Sequence, residues 1–109
     1  MSWKLWIDDQ LNDPDCPRRH TPEGFVGAAS CDEAIALVKE MGCPAFMDLD
    51  CDLADGKDVM TFLYWLEQNY HNDPPDWNVH SANIVATPNV NAFMSSWHKV
   101  LRDIEYATD

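Results

Sequence analysis

Two groups of aspartates stand where two apolar runs end, a position from which carboxylates can hold a cation. Asp8 and Asp9 follow Trp3-Lys4-Leu5-Trp6-Ile7, and Asp50 and Asp52 follow Ala45-Phe46-Met47-Asp48-Leu49. Short apolar runs of this kind read as buried strands. In an open parallel sheet the strand C-termini share one edge, and ligands bind there. Carboxylates gathered within a few Å repel one another and resist ionising together. A hard, oxygen-seeking divalent cation relieves that repulsion. The expectation is therefore a centre for Mg²⁺ or Mn²⁺ on Asp8, Asp9 and Asp50 that works on phosphate.

Other polar residues fall near the same edge. His80 closes a later strand-like run beside Ser81, a position suited to a general acid or base. Asp52 either faces the site or caps the following turn. Asp55 and Asp58, on either side of Gly56, read as helix caps. Asn83 and Asn89 suit the orientation of a phosphate or a base, and equally suit turns and caps. Arg18-Arg19-His20 is the one dense basic cluster. It reads as a solvated loop or as a clamp on phosphate, since it leaves from the same edge as Asp9. His71 and His98 read as surface residues on helices.

The elements that must position these residues alternate strand and helix. Residues 3–7 read as a strand buried on both faces. Residues 10–24 carry three prolines and no periodicity, so a loop rather than a helix leads to a second strand at 25–28. Ser30 with Glu33 has the capping-box spacing. Ala34, Ile35, Leu37, Val38 and Met41 then form one apolar helix face, closed by Gly42. Residues 45–49 form the third strand. Val59, Phe62, Leu63, Leu66 and Tyr70 mark a second helix, which Pro74-Pro75 cannot continue. Residues 78–81 read as a fourth strand. Thr87 and Pro88 look like the N-cap and first position of a last helix, striped by Val90, Phe93, Met94, Trp97, Leu101 and Ile104. Right-handed crossovers turn this order into an α/β fold. The expected form is a three-layer sandwich around a flavodoxin-like parallel sheet of about four strands, order 2-1-3-4. A loop in place of the first crossover helix leaves one face of that sheet thinly covered.

Composition narrows the function. The 109 residues suit one domain over 1–109, with 46% hydrophobic residues and five Trp to fill its core. A net charge of −12 excludes strong long-range attraction to duplex nucleic acid. No apolar run approaches membrane-spanning length and no signal peptide is visible, so a soluble cytoplasmic protein is expected. Cys16, Cys31, Cys43 and Cys51 show no CxxC pair and read as free thiols.

Asp8-Asp9, Asp50 and Ser81, each after a strand, resemble the acidic and hydroxyl positions of response-regulator receiver domains. The chain is more similar to their divergent branch, the cyclic-phosphate-processing receiver domains. That resemblance is carried in order by Leu5-Trp6-Ile7-Asp8-Asp9, Thr21-Pro22-Glu23-Gly24-Phe25 and Glu33-Ala34-Ile35. It continues through Leu49-Asp50-Cys51-Asp52-Leu53, Gly56-Lys57-Asp58-Val59 and His80-Ser81-Ala82-Asn83, with Asn89 after it. The branch usually has His where Cys51 stands. The resemblance implies a receiver fold, a metal on the acidic pair, and a role on cyclic phosphates at RNA ends. By that resemblance Asp50 and Ser81 take the phosphoryl-accepting and reporting positions. Read from the residues themselves, His80 completes the catalytic set with Asp50 and Ser81, and Asn83, Asn89, Arg18 and Arg19 are the candidate contacts to phosphate or substrate. The leading expectation is thus a metal-dependent phosphoesterase acting on a small phosphorylated ligand or an RNA end. A receiver-like module that binds without catalysis competes with it. So does an acidic protein that engages a basic partner surface, such as a viral inhibitor of a host protein; the −12 charge supports that reading.

Overall fold

The computed structural model describes residues 2–8, 21–51, 58–81 and 84–107, with side chains through Arg102. The elements run β1 (Lys4–Ile7), β2 (Phe25–Ala28), α1 (Cys31–Met41), β3 (Phe46–Leu49), α2 (Val59–Asn69), β4 (Asp76–Val79) and α3 (Ala86–Ala107). The four strands pair in parallel in the order β2-β1-β3-β4. This is the α/β sheet, with three helices, that the alternating pattern implies.

The register arranges the strand residues in rows. Val26, Leu5, Met47 and Trp77 form one row, and Ala28, Ile7, Leu49 and Val79 form another. Side chains two apart on a strand share a face, so both rows point the same way. Leu5, Ile7, Ala28, Met47 and Leu49 are fully buried there. They join Ala34 and Val38 of α1, Phe62, Leu63 and Leu66 of α2, and Val90, Met94 and Trp97 of α3 in one core. The opposite face carries Lys4, Trp6, Phe25, Phe46, Asp48 and Asn78, all exposed or half-buried. Trp6, Phe25 and Phe46 meet edge to face across it, with ring centroids about 6 Å apart. The first connection, residues 9–20, lies outside the described residues, and this is the face that a loop in place of the first crossover helix is expected to leave thinly covered. β1 is consequently buried on one face, not on both: Lys4 is exposed and Trp6 only half-buried.

Local chemistry sets the helix ends. The Ser30 hydroxyl accepts from Glu33 N at 3.1 Å, while Glu33 Oε2 accepts from Ala29 N at 2.7 Å. Gly42 closes α1 at φ +87°, a backbone conformation that favours glycine, and donates its N–H to Val38 O at 2.8 Å. Asp58 caps α2 by accepting from Thr61 N, as its place beside Gly56 suggested.

Two boundaries differ from expectation. β4 spans Asp76–Val79, two residues earlier than 78–81. As an edge strand it needs only one buried face, so the alternation Asp76-Trp77-Asn78-Val79 is its signal. α3 starts at Ala86, so Thr87 and Pro88 lie in its first turn rather than at the cap and first position. His71 follows α2 in an exposed turn, where it pairs with Glu67. His98, expected on the surface, is half-buried: Nε2 lies 2.8 Å from Pro75 O and the ring leans on Trp77. Cys31, Cys43 and Cys51 are free thiols. No helix among the described residues is long and apolar enough to cross a membrane.

Candidate metal centre

The parallel ladder runs one residue past the strands. Asp8 N donates to Ala28 O at 3.1 Å, Asp50 N to Ile7 O at 2.9 Å, and His80 N to Leu49 O at 3.0 Å. Asp8, Asp50 and His80 therefore form the next row across β1, β3 and β4, at the C-terminal edge of the sheet. Neighbouring strands lie about 4.8 Å apart, so a single row brings these side chains together without any special loop. One ligand atom from each lies within 4.8 Å of the other two. Asp8 is fully buried, Asp50 is 8% exposed, and the His80 side chain is 16% exposed.

Each group is held. Asp50 Oδ1 accepts from Cys51 N at 2.8 Å. The His80 ring reaches across β3 and stacks on Trp6 of β1, with centroids 4.1 Å apart and planes 5° from parallel. His80 Nδ1 lies 2.6 Å from Asp48 Oδ1, and Asn78 Nδ2 donates to both Asp48 oxygens at 3.3 Å. His80 Nε2 lies 3.5 Å from Asp8 Oδ2, within ion-pair reach but longer than an ordinary N–H···O bond. Nε2 is buried and makes no hydrogen bond. Two buried carboxylates and an imidazole nitrogen without a hydrogen bond are a donor set that a divalent cation fits.

Of the residues expected at the site, the structure brings together Asp8, Asp50 and His80. Ser81 follows the row by one residue, half-buried. Asn89 is exposed on α3 and lines a cavity of about 560 Å³ with Asp58, Thr61 and Tyr64, between α2 and α3. Asp9, Arg18, Arg19, Asp52 and Asn83 lie outside the described residues. Cys51, where the related branch usually has His, is buried with Sγ 4.0 Å from Thr87 Oγ1.

Asp48 and Trp6 were not anticipated. A signal for Asp48 existed: it is a charged residue inside an otherwise apolar strand, two positions before Asp50 and so on the same face. Trp6 stands in the same relation to Asp8. The sequence offered bounds for β4 but no pairing register, and only the register brings His80 beside Asp48 and Trp6.

The model of the family described as the cyclic-phosphate processing receiver domain matches residues 3–96. Neither a curated protein nor a solved structure matches the chain. The match runs through the whole sheet and every residue of the edge row, and on it the chain belongs to the cyclic-phosphate processing receiver domain family.

Proposed function

We propose that the protein binds a divalent cation, Mg²⁺ or Mn²⁺, at the sheet edge and processes a cyclic or terminal phosphate ester there, with RNA ends as the favoured substrate class. The observation that carries this reading is the convergence of Asp8, Asp50 and His80 in one row. When bound, such a cation polarises phosphoryl oxygens and neutralises charge that develops on them. Asp8 and Asp50 hold it, with Asp9 as a further carboxylate. His80 and Ser81 sit where they meet the phosphate or its ligands. Arg18, Arg19, Asn83 and Asn89 are the candidate contacts to the rest of the substrate. The family description points to cyclic phosphates. The net charge of −12 favours a short substrate over a long duplex. The free thiols suit a reducing cytoplasm.

The test is hydrolysis of nucleoside 2′,3′-cyclic phosphates with Mn²⁺ or Mg²⁺, with products resolved by chromatography. Turnover is expected, and Asp50→Asn should reduce it at least a hundredfold, the lower end of what one preorganised electrostatic group contributes. Absence of turnover across several cations and cyclic nucleotides sinks the catalytic reading.

A further inference from the structure

Asp48 has no place in the phosphate chemistry described above. It sits mid-strand on β3, its side chain 15% exposed, and its shortest contact is to His80. An ionised carboxylate only accepts hydrogen bonds. The 2.6 Å contact therefore places the proton of a neutral His80 ring on Nδ1 and leaves the Nε2 lone pair toward Asp8 and Asp50. Stacking on Trp6 holds the ring in that plane. A carboxylate bonded to one imidazole nitrogen while the other faces a cation site is the outer-shell arrangement that orients histidine ligands and raises their basicity.

We infer that Asp48 is a positioning residue that makes His80 a nitrogen ligand, and that the centre consequently prefers first-row transition cations such as Mn²⁺ or Zn²⁺ over Mg²⁺. The inference rests on the reading of Asp8 and Asp50 as cation ligands. Its physical basis is donor type: carboxylate and water suit Mg²⁺, while imidazole adds affinity for the transition series. It also changes the part His80 plays. A nitrogen committed to the cation is not the acid or base of the reaction.

Asp48→Asn separates these roles. Asn78 already donates to residue 48. An amide there would turn its oxygen toward Asn78 and its NH₂ toward His80 Nδ1. The ring would then carry its proton on Nε2 and lose the nitrogen donor. Calorimetric titration of the full chain with Mn²⁺ and with Mg²⁺ is the first measurement. The wild type should bind Mn²⁺ roughly tenfold or more tightly than Mg²⁺. Asp48→Asn should weaken Mn²⁺ by about 10–100-fold and leave Mg²⁺ nearly unchanged. Long-range ¹H–¹⁵N spectra of the folded wild type are the second, and need no variant. They should show the Nδ1–H tautomer of His80 and a shift of Nε2 on adding Zn²⁺. Mn²⁺ binding in Asp48→Asn equal to wild type, or an Nε2 signal indifferent to Zn²⁺ while the acidic site fills, overturns the inference and leaves the acidic site standing. No cation binding by the wild type, or undiminished binding by an Asp8→Asn, Asp50→Asn double variant, removes the site itself and the inference with it.

Discussion

His80 stands against three neighbours that constrain it in different ways: Trp6 fixes its plane, Asp48 its proton, and Asp8 marks where its other nitrogen points. Asp8 and Asp50 were legible in the sequence because each follows an apolar run, and His80 because it closes a strand-like run beside Ser81. The pair that orients the histidine was not, since its members come from different strands and meet only when the register is known. A second residue-scale consequence concerns Cys43. Burial, with the Asp73 charge adding to it, pushes its thiol up to about 11 from an ordinary 9.0, and Sγ donates to Asp73 O at 3.3 Å. The thiolate is the reactive form. A rise of that size leaves roughly a hundredth of the usual thiolate near pH 8, so Cys43 should label far more slowly with iodoacetamide in the folded than in the unfolded chain. Peptide mass spectrometry after timed labelling checks this; equal rates would contradict it. Because the folded value is the higher one, the stability tied to this group is present below about pH 9. It is lost as pH rises through about 11.

The elements that sequence rules place best are those with chemistry at their ends. α1 begins at Ser30 and closes at Gly42, where the capping-box spacing and the glycine put its limits. Replacing Ser30 by Ala removes the acceptor for Glu33 N and should destabilise the fold by about 1 kcal/mol. The midpoint of urea unfolding should fall with an unchanged slope. Ser30→Asp, which restores an acceptor at the helix N-terminus, should recover it. β4 was harder to read. Its Asp76 looks like a loop residue after Pro74-Pro75, and only pairing with Phe46 makes it strand. Edge strands are specified by partners more than by their own propensity. The observed bounds sharpen the expected edge position of His80: with β4 ending at Val79, His80 falls into the row of Asp8 and Asp50, and Ser81 lies one step past it.

Over the whole molecule the acidic balance gives two effects that must be told apart. A net charge of −12 makes the compact state repel itself, and any salt screens that repulsion. The buried carboxylates of Asp8 and Asp50 would gain instead from the one cation proposed to bind them. Sodium chloride raised to roughly 0.5 M, where the Debye length is only a few Å, should raise the melting temperature of the wild type and of an Asp8→Asn, Asp50→Asn double variant alike. Millimolar Mn²⁺ added on top of that salt should raise the wild type further. A ligand that binds only the folded state adds about 2.7 kcal/mol at a hundredfold excess over Kd, on the order of ten degrees for a chain of this size. In the double variant this second increment should disappear. If it persists there, the cation is acting on the acidic surface at large. The charge would then count for more than the edge row, as the interaction-protein reading of this chain requires.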